Sequence, residues 1–325
     1  MGRHVAGDMS ALDRLVDDAC AEIGHEIDAL CVPSLAGVVL GGGYGRGEGG
    51  AIECRLSNDL DFFAITEPGA SEAEAVSGIA AALEPVSKKW TQKLGIDVDF
   101  AVKTPWRLKH DEERLMVQEL LRGYFDVADK KGEELFAGIR RIDAAELPWS
   151  EAVRLLMNRG MGLLLAKEKI AGGGASAAER ESDFINRNIN KCVLGAGDAK
   201  LIAKGAYQWK ALDRAAALGD ALYSAAVGWK FRPKAEPVCD WEKAREIWLR
   251  AEEEVSGSSR QSRGPSPSRR TLRSAVRWLV RRRTLGELST FGLMPELRVL
   301  RRVSAAIRER RGISPSLRRD WEVFN

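Results

Sequence analysis

The chain has 325 residues and a net charge of +3, and its 45% hydrophobic content is enough to build the cores of two ordinary domains. It contains no apolar run near the roughly 20 residues that cross a bilayer and no signal-peptide pattern at its start, so we expect a cytoplasmic protein without a transmembrane segment. Its five cysteines are far apart and its three histidines are isolated, which argues against a disulfide framework and against a zinc site.

The first 105 residues carry the pattern of an α/β (α+β) domain. The segment from Ser10 to about Leu30 has apolar residues at helical spacing and predicts an amphipathic helix. Short apolar or alternating segments, LAGVVL, DLDFFAIT and GIDVDFAV, predict three strands. Residues 71–94, between the last two strands, predict a helix that Pro85 interrupts. Strands separated by a helix indicate an α/β unit, so we expect one such domain over residues 1–105.

The rest of the chain has a different character. Apolar residues recur three and four positions apart over residues 106–255, which predicts a mainly α-helical domain. Residues 256–270 are rich in Ser, Gly, Pro and Arg and predict a flexible linker, and residues 271–325 predict a basic helical tail. Residues 256–325 contain 17 arginines and five acidic residues, a net charge of +12, against −9 in the remainder. This asymmetry favours contact with RNA, an acidic partner or an anionic membrane surface, or else arginines on solvated helix faces.

A glycine-rich stretch, GGGYGRGEGG, follows the first predicted strand and is here called the glycine loop, Gly41–Gly50. Backbone without side chains can bend sharply or lie directly against a ligand. The spacing Gly45-x-Gly47-x-x-Gly50 matches the dinucleotide-binding fingerprint, but no helical pattern follows it, and the Gly-Lys-Ser/Thr of a phosphate loop is absent. We therefore interpret the glycine loop together with the acidic residues downstream of it.

Two pairs of aspartates lie on the predicted strands. Asp59 and Asp61 flank Leu60, and Asp97 and Asp99 flank Val98. Alternate residues of a strand point to the same face, so each pair projects its carboxylates together. If the two strands are neighbours, three or four carboxylates converge, and a divalent metal with oxygen ligands is the natural companion of such a cluster.

The ordered pattern LGGGYGRGEGG, SNDLDFF and VDF resembles the nucleotidyltransferase superfamily of the DNA polymerase β type. The string GGYGRGE is similar to that of the uridylyltransferases that modify the PII signalling protein. The resemblance covers about the first 100 residues. It implies a small mixed-sheet catalytic domain, followed by a helical domain that closes over the nucleotide and receives the acceptor. The implied reaction is metal-dependent transfer of a nucleoside monophosphate from an NTP to a hydroxyl group of a small molecule or protein, with release of pyrophosphate.

The resemblance also implies roles for the matching residues. Gly42 and Gly43 would offer backbone N–H groups to the triphosphate. Asp59, Asp61 and Asp99 would be the catalytic carboxylates and would bind two Mg²⁺ or Mn²⁺ ions, and Asp99 would help to deprotonate the attacking hydroxyl. The further candidates for nucleotide contact or for support of the glycine loop are Tyr44, Arg46, Ser57 and Lys191.

Several alternatives stay open at this point. Either Asp97 or Asp99 can be the third carboxylate, although VDF around Asp99 matches the family pattern better. The interval between Gly43 and Asp59 is longer than is usual in the family, so we interpret EGGAIECRL as an insertion. A second hypothesis makes the acceptor an RNA 3′ end that is gripped by the basic tail. A third is a non-catalytic, antitoxin-like binding module of the same fold.

Overall fold

The computed structural model of the chain describes residues 2–69, 72–129, 131–172, 181–258 and 295–323. These residues form two compact units. The first contains Met1–Asp143 together with Lys230–Pro233, and the second contains Ala144–Trp229 together with Lys234–Asn325. Within the described residues, the strands all belong to the first unit and the second unit is helical. The expected mixed α/β class, with a small sheet followed by a mainly helical region, is confirmed.

The first unit is built from the following elements. In chain order, its strands are β1 Leu35–Leu40, β2 Ala51–Ile52, β3 Arg55–Leu56, β4 Leu60–Thr66, β5 Val98–Lys103 and β6 Phe125–Asp129. Its helices are α1 Ser10–Leu30, α2 Gly42–Gly45, α3 Glu72–Leu94, α4 Pro105–His110, α5 Leu115–Arg122 and α6 Gly132–Leu135.

Four of the strands form one mixed sheet in the order β5-β4-β1-β6. β1 lies in the centre and is antiparallel to both β4 and β6, whereas β4 and β5 are parallel. The parallel pair is connected through α3, as a parallel connection requires a crossover segment. Because of this arrangement, the end of β1 and the beginnings of β4 and β5 lie at the same end of the sheet.

Helices cover both faces of this sheet. Successive residues of a strand point to opposite faces, so Phe62 and Phe63 belong to two different cores. Phe62 packs with apolar residues of α1 and α3, among them Ile23 and Trp90. Phe63 packs with apolar residues of α4, α5 and α6, among them Leu120. The sheet is therefore buried on both sides, which fits the near-continuous apolar sequences of β1 and β4.

The helix α3 differs from its prediction at Pro85. The structure has one helix over Glu72–Leu94, with Pro85 inside it and no interruption. A proline in a helix leaves the carbonyl four residues earlier without its usual N–H partner. Here that carbonyl belongs to Ala81, and both Ala81 and Pro85 lie on the exposed side of the helix. Water can therefore satisfy the carbonyl, and the buried side of α3 continues undisturbed.

The first unit extends beyond the boundary predicted at residue 105. The expected helical domain over 106–255 would contain residues 125–129, but these form the edge strand β6 beside β1. Helices α4 and α5 pack on the sheet through Leu108, Val117 and Leu121. The division between the units therefore comes after Asp143.

The second unit consists of helices in its described part. After a short 3-10 turn at Ala144–Glu146, they are α7 Trp149–Gly172, α8 Ser182–Lys204, α9 Ala211–Leu218, α10 Ala221–Phe231, α11 Trp241–Ser256, α12 Pro295–Arg308 and α13 Pro315–Glu322. The last two residues of α10, Lys230 and Phe231, belong to the first unit. Two indole N–H groups of α11 form hydrogen bonds with the backbone of α7: Trp248 donates to the carbonyl of Leu156 (3.0 Å), and Trp241 donates to that of Leu163 (2.8 Å). No helix in the described ranges is both long enough and apolar enough to span a membrane.

The basic tail is described only over residues 295–323, and these residues pack into the second unit. Helix α12 buries Val299, Val303 and Ile307. Ion pairs with carboxylates of the same unit form at Arg302, Arg308, Arg310, Arg311 and Arg318. This part of the tail thus fits the expectation of arginines on helix faces. Most of the predicted linker over 256–270, and the tail over 271–294, lie outside the described residues.

Candidate active site

The glycine loop begins directly at the end of β1. The strand ends at Leu40, and α2 starts two residues later at Gly42, which has a positive φ of 60°. The N–H of Gly41 donates a hydrogen bond to the carbonyl of Asp61 (2.8 Å), so the turn is fixed to the beginning of β4. The N–H groups of Gly42 and Gly43, as the first residues of a helix, have no acceptor within it. They are therefore suited to bind an anion.

Asp61 lies against the backbone of this turn. A Cβ atom on Gly42 would be only 2.1 Å from Oδ2 of Asp61, much closer than two such atoms can approach. On Gly43 the nearest atom would be the carbonyl oxygen of Glu48 at 3.4 Å, an ordinary contact. Gly42 is thus required both by its backbone conformation and by the close approach of the Asp61 carboxylate.

Asp61 and Asp99 occupy paired positions on neighbouring parallel strands. Their flanking residues Leu60 and Val98 are also paired, and both of these are buried. The two aspartates therefore project from the opposite face of the sheet, at its end, where both are exposed. The two acidic strands are therefore neighbours, which is the condition stated above for their carboxylates to lie near one another.

Two neighbouring carboxylates act on Asp99 at this end of the sheet. Burial, together with the negative charges of Asp97 and Asp59, raises the pKa of Asp99 above its ordinary value. Asp97 is exposed and Asp59 is half-buried. A group whose pKa is raised by like charges gains from any cation that binds beside it.

The donor set fits a hard divalent cation. Carboxylate oxygens are the ligands that Mg²⁺ and Mn²⁺ prefer, and the repulsion felt by Asp99 would be relieved by such an ion. Within the part of the chain that the structure describes, no three His, Cys, Asp or Glu side chains converge closely enough to enclose a metal. Side-chain rotation of the carboxylates would therefore have to accompany the binding of a shared ion.

Tyr44 supports the glycine loop from inside, which corrects its prediction as a nucleotide contact. Its side chain is fully buried, with 0% exposure. The hydroxyl donates to the carbonyl of Gly50 (2.7 Å) and accepts from the N–H groups of Ser57 (3.2 Å) and Asn58 (3.3 Å). Ser57 is also buried, at 3% exposure, and its N–H reaches the Gly50 carbonyl at 3.1 Å. Ser57 thus has the position of a loop support and not of a surface contact.

The predicted insertion is a small hairpin. Strands β2 and β3 pair Ala51 with Leu56, and Glu53 takes a positive φ in the two-residue turn between them. Gly49, before this hairpin, packs closely against the ring of Tyr44. A Cβ at this position would lie 2.1 Å from the ring, which explains why the residue is glycine. The later glycines of the loop therefore serve its folding, and only the earliest ones lie beside the carboxylates.

Arg46 belongs to an ion-pair cluster. Its guanidinium lies 3.3 Å from a carboxylate oxygen of Glu119 and 4.0 Å from one of Glu48, and its side chain is 15% exposed. Glu48 is buried, with 2% exposure, and its other cation is Lys230 at 2.8 Å. The structure thus gives Arg46 two carboxylate partners where a phosphate contact was predicted. Glu48, Glu119 and Lys230 escaped sequence reasoning because no local pattern links them.

The amino-terminal residues bind the far side of the glycine loop. Val5 and Gly49 form a bridge, in which Ala6 N–H donates to Gly49 O and Gly49 N–H donates to His4 O, both at 2.9 Å. The carboxylate of Asp13 accepts hydrogen bonds from the N–H groups of this segment. Burial alone would raise the pKa of Asp13, but these donors outweigh it and lower the pKa below its usual 3.8.

Lys191, the remaining predicted contact, lies on α8 in the second unit, where its side chain is exposed. The structure therefore places the three predicted carboxylates, Gly42 and Gly43 at one end of the sheet in the first unit, while Lys191 belongs to a different unit. A comparison of the chain with protein-family models and with curated proteins found no match. The family resemblance thus depends on the sequence motifs alone.

Proposed function

We propose that the protein is a metal-dependent nucleotidyltransferase that moves a nucleoside monophosphate from an NTP to a hydroxyl group of a small molecule or protein. The observation that carries this proposal is the pairing of Asp61 with Asp99 on parallel strands, directly beside the turn at Gly42. Carboxylates that bind metal next to backbone N–H groups that bind phosphate are what transfer of a nucleotide needs. The same elements carry the sequence resemblance to the polymerase β type superfamily.

Each group of the chain has a separate task in this reaction. The N–H groups of Gly42 and Gly43 would hold oxygens of the triphosphate and orient its α-phosphorus. Asp99 would accept the proton of the acceptor hydroxyl, whose oxygen forms the new bond to the α-phosphorus. The bond from the α-phosphorus to the bridging oxygen breaks, and pyrophosphate leaves with both electrons of that bond.

Asp59, Asp61 and Asp99 are the residues that would hold the metal. Two Mg²⁺ or Mn²⁺ ions, when bound there, would neutralise phosphate charge and acidify the acceptor hydroxyl. The register of the sheet supports Asp99 as the third ligand, because Asp99 is the residue paired with Asp61. Asp97 lies one residue before β5, and its backbone carbonyl accepts from the N–H of Leu60 (2.9 Å).

The test is transfer of label from each of the four α-labelled NTPs, with Mg²⁺ or Mn²⁺, into the protein, RNA and small-molecule fractions of a cell extract. Wild type is compared with Asp61→Asn and Asp99→Asn, which remove charge and keep shape. Asp18→Asn, at an exposed aspartate of α1, is the matched control. We expect label with wild type and the control only, and a loss of at least about 100-fold in the two site variants.

The outcomes separate the hypotheses. Label in the RNA fraction that declines steeply with added salt would assign an RNA acceptor instead. Absence of transfer to every fraction, together with absence of metal-dependent NTP binding by wild type, would overturn the enzyme and leave the non-catalytic binding module. Asp97→Asn distinguishes the third carboxylate, because we expect it to retain transfer to within about tenfold, whereas Asp99→Asn should not.

A further inference from the structure

We infer that Lys230 is a positioning residue for the glycine loop, acting through Glu48, and that it sets the affinity of the site for the triphosphate. This inference deepens the proposed function and depends on it for the identity of the ligand. Its structural part, that Lys230 holds the glycine loop in place, stands on the contacts of the first unit alone.

Lys230 comes from a distant part of the chain. Residues Lys230–Pro233 belong to the first unit, although residues 144–229 intervene after its main segment. The ammonium of Lys230 lies 2.8 Å from Oε2 of Glu48. The carbonyl oxygen of Lys230 is so near Gly50 that a Cβ there would approach it to 2.5 Å. Residue 230 therefore contacts the glycine loop twice, once by charge and once by close packing.

Glu48 transmits this contact to the anion-binding end of the loop. Its N–H donates to the carbonyl of Gly43 at 2.8 Å, so its backbone is fixed to one of the two residues proposed to bind phosphate. Its carboxylate is buried at 2% exposure. Lys230 is the nearer of the two cations given above for this carboxylate, since the guanidinium of Arg46 lies 4.0 Å away. A buried carboxylate that loses its nearer cation partner is destabilised where it is and tends to move into water. Because the backbone N–H of Glu48 is hydrogen-bonded to the carbonyl of Gly43, such a movement would displace Gly43 as well.

The segment at 230–233 also fixes the other support of the loop. The guanidinium of Arg232 donates to the carbonyl of Ala6 at 2.6 Å. Ala6 belongs to the amino-terminal segment that bridges Gly49. The glycine loop is thus held by two segments far apart in sequence, and these two segments are joined to each other. Arg232 and Lys230 together make residues 230–233 a strap across the back of the loop.

The carboxylates do not depend on this strap. Asp61 and Asp99 are placed by the register of β4 and β5, which is fixed by the sheet. Loss of the Lys230 charge should therefore weaken binding of the triphosphate without removing the catalytic carboxylates. The expected signature is a KM for NTP raised about tenfold, equivalent to about 1.4 kcal/mol of binding, with kcat changed less than about threefold.

The experiment uses the full chain with Lys230→Met, Lys230→Arg and the control Lys88→Met. Lys88 forms an exposed ion pair with Glu84 (2.6 Å) on α3, so the control removes a lysine that has a carboxylate partner but no contact with the glycine loop. One readout is the KM and kcat of NTP transfer. The second is amide hydrogen exchange of residues 41–50 relative to that of β4, which needs no ligand. We expect faster exchange in the loop and a raised KM for Lys230→Met, and recovery of both in Lys230→Arg.

A double variant protects the test against general unfolding. Glu48→Gln combined with Lys230→Met removes both charges, so it should be more stable than Lys230→Met alone. Equal loop exchange and equal KM in Lys230→Met and Lys88→Met would overturn the inference. If wild type neither binds nor transfers NTP, the proposed function fails, while the exchange readout still decides whether Lys230 positions the loop.

Discussion

Replacing Gly42 by alanine is the sharpest probe of the glycine turn. The new Cβ would overlap Oδ2 of Asp61 at 2.1 Å and would approach its Cβ and Cγ to 3.0 Å, so the Asp61 side chain must rotate away. The positive φ of 60° adds strain of about 1–2 kcal/mol for any residue with a Cβ. We expect the free energy of unfolding in urea to fall by about that amount. Displacement of a catalytic carboxylate by about 1 Å or more should lower kcat for NTP transfer about 100-fold.

Gly43→Ala is the matched control for this prediction. Gly43 has no positive φ, and the nearest atom to its new Cβ is Glu48 O at an ordinary 3.4 Å. Alanine keeps the N–H group, so we expect stability within about 0.5 kcal/mol of wild type and transfer within about threefold. If Gly42→Ala and Gly43→Ala lose activity and stability equally, the close contact between the turn and Asp61 is not what makes the glycine necessary.

Three other predictions concern the support of the glycine loop, the carboxylate of Asp99 and that of Asp13. Tyr44→Phe removes the hydroxyl to which Asn58 N–H donates, while Ser57 N–H and the Gly50 carbonyl stay hydrogen-bonded to each other, so it should lower the free energy of unfolding by about 1–3 kcal/mol. Ser57→Ala keeps all of these backbone groups paired and should cost less. Asp99→Asn removes a carboxylate that its neighbours repel, so in metal-free, low-salt buffer it should raise the free energy of unfolding by up to about 0.5 kcal/mol. Added salt should reduce this gain, and a lowered free energy of unfolding would contradict the repulsion. Asp13, whose pKa is lowered in the fold, contributes stability above pH 3.8 that is lost as the pH falls through the lowered pKa. Asp13→Asn should abolish this acid-induced loss when the free energy of unfolding in urea is measured over a series of pH values. The same loss of stability at low pH in Asp13→Asn and wild type would refute this role of Asp13.

The sheet and its carboxylates could be predicted because their signals are local. Alternation along DLDFFAIT and GIDVDFAV placed Asp61 and Asp99 on one face of each strand, and the structure pairs them. The helix from Ser10 to Leu30 follows directly from its apolar periodicity. In each case neighbouring residues in sequence determine the outcome, so one sequence is enough.

The support of the glycine loop could not be predicted, because it is made by residues far apart in the chain. Tyr44 stands between glycines in the sequence and was a candidate for nucleotide contact or loop support, and only the fold places Ser57 and Asn58 at its hydroxyl. Lys230 lies 182 positions after Glu48 in the sequence. The strand β6 was hidden within a helical pattern because its pairing partner, β1, lies almost 90 residues earlier.

The discontinuity of the first unit has a consequence for the order of its biosynthesis. Ribosomes make residues 1–143 first, but Lys230–Pro233 emerge only after residues 144–229. At ordinary rates of translation this is a delay on the order of ten seconds, during which the nascent sheet domain exists without its strap. We expect a nascent or prematurely terminated chain that ends before residue 230 to bind NTP poorly. Competence for the reaction would then arise only after residues 230–233 have been synthesised.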